Sequence, residues 1–371
     1  MAMGGIVASG TIGTMTDTAL HLIVSHAGAA DDARRQTLAG LRLPHLTRLL
    51  SRLERLPDEA APADREPERT LSLPHERAQA RALGLPGEDG YLPWAAWRQA
   101  SAGRLPGGAN IDGASFDRAA PDGPTPDGQA FARLTPCHWA VGSDHIALRD
   151  PEALQLSDEE SQSLLTAMQP YFTEDGLAVQ WERALCWTAR GDLLQGLPCA
   201  SLDRVIGRRV DDWLPRTTAA RPIRRLQQEM QMLLYTHPVN EAREQRGLLP
   251  VNSFWVDGAG ALSVGWAASG PASGLAEVRL DERLRGPTMQ GDAAAWGRAW
   301  QQLDDEALPP LLQALEAGRA VYLTLAGERA AAAFGPRSGG GQSLPRAISR
   351  AISRASALWR SPRPAHVLDT L

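Results

Sequence analysis

The chain has 371 residues, enough to bury a sizeable core in one large domain or two ordinary ones, and its formal net charge of -5 gives no electrostatic reason to expect nucleic acid as the main partner. Every basic residue is an arginine and there is no lysine, which excludes Schiff-base chemistry, a pyridoxal phosphate anchor and a lysine-bearing P-loop. Cys137, Cys186 and Cys199 lack CxxC spacing and point to a reduced compartment, and no apolar run approaches the length of a membrane span.

Residues 1–18 are small and polar, without the basic start and apolar core of a signal peptide; they read as a disordered leader, and a cytoplasmic location is expected. A first strand–helix unit follows over 19–56: a strand from Ala19 to Val24, then Ser25-His26-Ala27-Gly28, then Leu46, Leu49, Leu50 and Leu53 at helical spacing. Residues 57–133 read as a variable region. Its 57–74 stretch is acidic and proline-rich and predicts a mobile linker, 75–85 a short helix, 92–97 a locally packed segment, and 103–128 a long loop crowded with Gly, Pro and Asp.

Regular structure resumes over 134–236. Strands are expected at 135–141 and 145–148. Ser157 and Glu160 form a capping box for a helix that carries Leu164, Leu165 and Met168 and ends near Pro170. Residues 177–181 and 185–188 make a hairpin pair, with Cys186 as a buried, inert thiol. A long helix then opens at Arg221-Pro222-Ile223, with Leu226, Met230, Leu233 and Leu234 on one face. Pro238 is expected to stop it. Asn240 is expected to cap a second short helix closed by Gly247, and a strand over 249–256 ends at an elbow, Asp257-Gly258-Ala259-Gly260.

Over 237–336 the chain returns to a βαβ alternation. A strand at 262–266 is expected to pair back on 251–256. Asp292 caps a helix bearing Trp296, Trp300 and Leu303, an apolar stripe at 308–315 is broken by Pro309-Pro310, and a buried strand spans 320–325. Gly327-Glu328-Arg329 then leads into an alanine-rich segment expected to be helical. The last part, 337–371, is a basic amphipathic tail behind a flexible joint. Arg346, Arg350 and Arg354 form one helical stripe, and Ile348, Ile352, Ala355 and Trp359 another. This suits either contact with an anionic membrane surface or a partner, or docking of Ile and Trp on the chain's own domain. The fold class expected is α/β with an α+β portion.

His237-Pro238-Val239-Asn240, Arg243, Arg246-Gly247-Leu248, Pro250-Val251-Asn252 and Gly258-Ala259-Gly260 resemble the signature of archaeal-type cofactor-independent phosphoglycerate mutases. The run is closer still to a proteobacterial branch of mutase-like and Rpf-cluster regulatory proteins. The strand at 19–24 followed by Leu43-Pro44-His45-Leu46-Thr47-Arg48-Leu49 resembles the opening of the alkaline phosphatase superfamily, to which those mutases belong. The resemblance implies a reduced alkaline-phosphatase-like α/β core with an inserted α+β substrate domain over 134–236. It also implies chemistry through a phosphoserine held between two metal ions. The residues depart from that pattern in two places. Ser25 and His26 stand where the superfamily has a metal-binding aspartate, and Asp257 stands where the archaeal mutases have arginine.

Two divalent ions require several converging carboxylates and imidazoles. The eight histidines form no HxxxH or HxH pair, and no GxSxG elbow or GxGxxG fingerprint replaces them. No catalytic residue is assigned, and no metal or other cofactor is expected. The expected role is that of a catalytically degenerate mutase-like protein binding a small anionic metabolite or a protein partner, with a regulatory function. The alternative is an active mutase or phosphatase whose altered metal site uses His21, His26, Asp31 or Asp32. Candidate ligand-binding residues are Asn240, Arg243, Arg246, Asn252, Gly258 and Gly260. Asparagine amides offer donors and an acceptor, arginines bring positive charge, and glycines permit positive φ and close backbone approach. Asn240 and Asn252 equally suit structural roles in tight turns.

Overall fold

The computed structural model describes residues 19–57, 66–101, 128–263, 275–337 and 363–371. The expected leader, the Ile/Arg stripes of the tail and residues 264–266 lie outside them. Five strands build the first sheet: β1 (Ala19–Val24), β2 (Glu54–Arg55), β9 (Leu275–Asp281), β10 (Val321–Ala326) and β11 (Ala331–Gly335), in the spatial order β2-β11-β10-β1-β9. β1 runs parallel to both β10 and β9, while β11 and β2 are antiparallel additions at one edge. A central parallel strand is covered on both faces, which is why β1 reads as an almost unbroken apolar run. On one face α1 (Asp32–Gly40), α2 (Pro44–Arg52), α10 (Ala293–Glu306) and α11 (Leu308–Glu316) bury Leu46, Leu49, Trp296, Trp300 and Leu311. On the other, α3 (Pro74–Leu83) lays Ala78 and Ala82 against Ile23. The α/β class expected from the sequence holds.

Four features of this lobe differ from expectation. The alanine-rich stretch is strand β11, because Ala332 and Phe334 enter the core as β11 pairs with β10, and that pairing overrides alanine's helical preference. Pro309 and Pro310 do not break a helix; they occupy the first turn of α11, where no N–H is needed. The linker expected over 57–74 is ordered from residue 66, with Thr70, Leu71, Ser72 and Leu73 buried and the N–H groups of Leu71 and Ser72 donating to the Asp89 carboxylate at 2.9 and 2.7 Å. The end of the tail, α12 (Pro364–Asp369) and Leu371, belongs to the core: Val367, Leu368 and Leu371 are buried, and the Leu371 carbonyl accepts from Arg329 N–H at 3.1 Å.

The second lobe is an antiparallel sheet of β3 (Ala130–Cys137), β6 (Ala178–Arg183), β7 (Cys186–Arg190) and β8 (Ser253–Ala261), in the order β6-β7-β3-β8. Helices α5 (Asp158–Glu174) and α7 (Arg221–Leu234) cover it with Leu164, Met168, Phe172, Leu226, Met230 and Leu234. The expected capping box is present, Ser157 Oγ accepting from Glu160 N–H and Glu160 from Ser157 N–H. Pro170 lies inside α5 instead of ending it. The expected first strand splits after Cys137, and β4 (Trp139–Val141) pairs with β5 (Ile146–Leu148) as a separate hairpin. The partner of β8 is β3, with Leu262 and Ser263 outside any strand. Among the described residues no helix is long and apolar enough to cross a membrane.

Candidate ligand-binding cleft

The motif-bearing run is a tightly bonded piece of the second lobe. α7 ends at Leu234, four residues before Pro238, as expected; Pro238 also opens α8 (Pro238–Gln245), and the N-cap is His237, whose Nδ1 accepts from Val239 N–H at 3.2 Å. Asn240 lies inside α8, buried. Its Nδ2 donates to the carbonyls of Leu234 and Val251, and its Oδ1 accepts from Val251 N–H, so one side chain ties α7, α8 and the start of β8. Arg243 is fully buried, donating to the carbonyls of Leu249 at 2.9 Å and Leu154 at 2.5 Å and to the Glu160 carboxylate. Arg246 is half exposed and shares Glu160. Asn252 bonds both backbone groups of Trp139, through Oδ1 at 2.7 Å and Nδ2 at 3.0 Å. The structure thus brings Asn240, Arg243 and Arg246 together around α8 with their polar atoms engaged by protein, and sets Asn252 apart against β4.

Gly258 and Gly260 go elsewhere. The elbow is not the end of the strand but a bulged part of β8, where the register with β3 shifts between Phe131 and Arg133. Gly258, with φ 61°, lines a cleft of about 530 Å³ between the two lobes. That volume falls in the range of small-molecule sites. The cleft sits beside the carboxyl ends of the parallel strands, the usual position for ligands in open α/β sheets. Its polar groups come from both lobes: His75, Glu76 and Gln79 of α3, Ser201 and Asp203 at α6 (Leu202–Val205), Arg133 of β3 and Asp257 of β8, and Arg285 at the start of α9 (Arg285–Met289). Asp257 is held by Arg133, Nε donating to Oδ1 at 2.8 Å, which accounts for an acidic residue at this point of β8.

Ion pairs cross between the lobes. Arg285 donates to both oxygens of Asp203, from Nε at 2.7 Å and Nη2 at 2.5 Å, and Arg208 lies 3.4 Å from Glu328. Burial pushes the Asp203 carboxyl up, but Arg285, His26 and His75 outweigh it and hold the group below the usual range. His26, with φ 54° and two residues past the end of β1, is buried 3.6 Å from Asp203 and tilted over His75 with ring centroids 5.4 Å apart. Neither His26 ring nitrogen nor Nδ1 of His75 has a hydrogen-bond partner in the protein. Burial lowers both, His75 to about 3, so the pair is neutral at physiological pH. Glu76 moves the other way. Burial, with Asp257 and Asp203 adding to it, raises its carboxyl to about 7 despite hydrogen bonds from Leu73 N–H and Ser201. The cleft wall therefore carries a neutral imidazole, His75, with His26 packed behind it, and a carboxyl that exchanges its proton near neutrality.

The alternative metal set is not assembled. His21 is enclosed in the sheet with Nε2 at 2.8 Å from Thr324 Oγ1, Asp31 caps α1 and pairs with Arg34, and exposed Asp32 pairs with Arg35. Of the four, His26 comes nearest to the cleft, 3.6 Å from Asp203 of its lining. Among the described residues one group has ligand atoms close enough for an ion, His45, Asp304 and Asp305. Asp304 there already caps α2, accepting from the N–H groups of His45 at 3.1 Å and Leu46 at 2.8 Å. The three cysteines are buried, and burial raises Cys186 to about 11 and Cys199 to about 12, so none is a nucleophile near neutral pH.

Sequence reading passed over His75, Glu76, Asp203 and Arg285. His75 and Glu76 lie side by side on a short helix behind an expected linker, and Asp203 and Arg285 are more than eighty residues apart in unremarked segments, so only folding joins them.

No protein-family model matches the chain, and no curated protein matches it. Among solved structures, it is similar to a cofactor-independent phosphoglycerate mutase from Thermoplasma acidophilum DSM 1728, at 15% sequence identity and a TM-score of 0.33, over 95% of this chain and 98% of that one. It is also similar to the PH0037 protein from Pyrococcus horikoshii, at 12% identity and a TM-score of 0.39, over 87% of this chain and 88% of that one.

Proposed function

We propose that the chain is a phosphoglycerate-mutase-like protein that binds a small polar metabolite in the interlobe cleft and serves a ligand-binding, regulatory role without two-metal phosphoryl transfer. The observation that carries this is the convergence of His75, Glu76, Asp203, Arg285, Arg133 and Asp257 on one cavity fed by both lobes. The mutase-like part rests on the residue text from His237 to Gly260. The absence of two-metal chemistry is supported by the fate of its nearest candidates: His21, Asp31 and Asp32 have separate partners, and Asp203 is already neutralised by Arg285.

The test is interconversion of 3- and 2-phosphoglycerate followed by phosphorus NMR, with Mg²⁺ or Mn²⁺ in excess and again with a chelator. The expected result is no turnover in either. Turnover that depends on the added ion and disappears with the chelator would replace this reading with the enzymatic one.

A further inference from the structure

The elbow glycines lead to the kind of ligand. A Cβ on Gly258 would stand 3.0 Å from Trp94 Cβ, and one on Gly260 3.1 Å from Pro93 Cβ, with both glycines at positive φ. β8 is therefore pared down where the start of α4 (Trp94–Ser101) presses against it. That approach sets Trp94 and Trp97 into the cleft wall, their rings edge to face with centroids 5.7 Å apart and 86° between planes. Leu92, Leu185 and Leu280 extend the same lining. Nε1 of Trp94 is buried and has no hydrogen-bond partner in the protein. The rest of the lining is mixed in charge, with carboxyl groups that include Glu76, Asp203 and Asp257 set among five arginines.

We propose that the cleft takes a nucleoside, its flat heteroaromatic ring against the Trp94–Trp97 wall and its sugar hydroxyls donating to the carboxyl groups of Glu76, Asp203 and Asp257. This rests on the reading of the cleft as the ligand site and goes beyond it in naming the chemistry. Indole faces bind nucleobases through stacking that any base can supply. Paired hydroxyls are natural donors to carboxylates. A three-carbon phosphate ester has no ring to use the aromatic wall. The cavity, at about 530 Å³, has room for a ring and a sugar together.

Adenosine binding to the full chain, followed by calorimetry and by saturation-transfer NMR, tests this with 3-phosphoglycerate as the comparison. Adenosine is expected to bind, with its ring protons receiving more saturation than its ribose protons, and purine is expected to retain weak binding where ribose alone shows none. Trp94→Leu, which keeps apolar bulk but removes the ring, should weaken adenosine by about tenfold or more. If that variant does not fold, the purine and ribose arms on the unaltered protein decide. Saturation concentrated on ribose, or adenosine binding unchanged in a folded Trp94→Leu, overturns the proposal. If 3-phosphoglycerate binds and adenosine does not, the nucleoside is wrong and the cleft reading stands. If neither binds at millimolar concentration, both fail.

Discussion

Arg243 shows how a residue type that suits ligand binding can be spent on structure. Its guanidinium is fully buried among the Leu154 and Leu249 carbonyls and the Glu160 carboxylate, while Arg246, one turn on, reaches the same carboxylate from the surface. Removing one partner of a buried pair strands the other, so Arg243→Ala should cost about 3–5 kcal/mol in chemical denaturation. Arg246→Ala should cost no more than about 1 kcal/mol, because its pair is solvated. Equal losses for the two would contradict the assignment. The sequence showed that this run is special but not what it binds. Positions 240 and 243 share a helix face, yet nothing local says that the face turns inward onto α5.

Glu76 makes a prediction with a definite sign. Its carboxyl titrates near 7 in the folded protein and near the ordinary value of 4.5 when unfolded. Between those values the folded state holds the extra proton, so this group's contribution to stability is present at low pH and is lost as pH rises toward 7. His26 and His75 act oppositely: neutral when folded, they cost stability as pH falls below 6.5. Comparing the unaltered protein with Glu76→Gln isolates the carboxyl. The variant should gain on the parent between about pH 5 and pH 8, by at most about 3 kcal/mol. A difference that is flat with pH would show that Glu76 ionises normally.

At the scale of elements, the strongly periodic ones were legible: β1, α2, α5 with its capping box, the β6–β7 hairpin, α7, and α10 behind Asp292. The failures share a cause. β11, α11 and residues 66–73 each carry local text that points away from order or toward another element, and each is decided by what it packs on. The tail is the largest case. Its arginine and isoleucine stripes drew attention from the last nine residues, where Val367, Leu368 and Leu371 complete the core beside Gly28 and Gly327. Deleting 363–371 removes three buried side chains, so a loss of about 5 kcal/mol or more is expected. Thermal melting of the truncated chain checks it; an unchanged midpoint would mean that the core closes without them.

At the scale of the molecule, the α/β class and the α+β portion could be read from the alternation of apolar runs, whereas the cleft could not. It is made where two lobes meet, from side chains that are ordinary in their own segments: an edge-to-face tryptophan pair, a carboxyl with a late proton, and two imidazoles over an arginine-bound aspartate. Of the six residues singled out in the sequence, Gly258 lines it directly and Gly260 seats the segment that supplies its aromatic wall. Amide hydrogen exchange with and without adenosine, and again with 3-phosphoglycerate, tests the central claim that this cleft is the functional surface. Whichever compound binds should slow exchange at residues 72–79, 92–98 and 201–203 while leaving 238–252 unchanged. Protection confined to 238–252, or none with either compound, would contradict it.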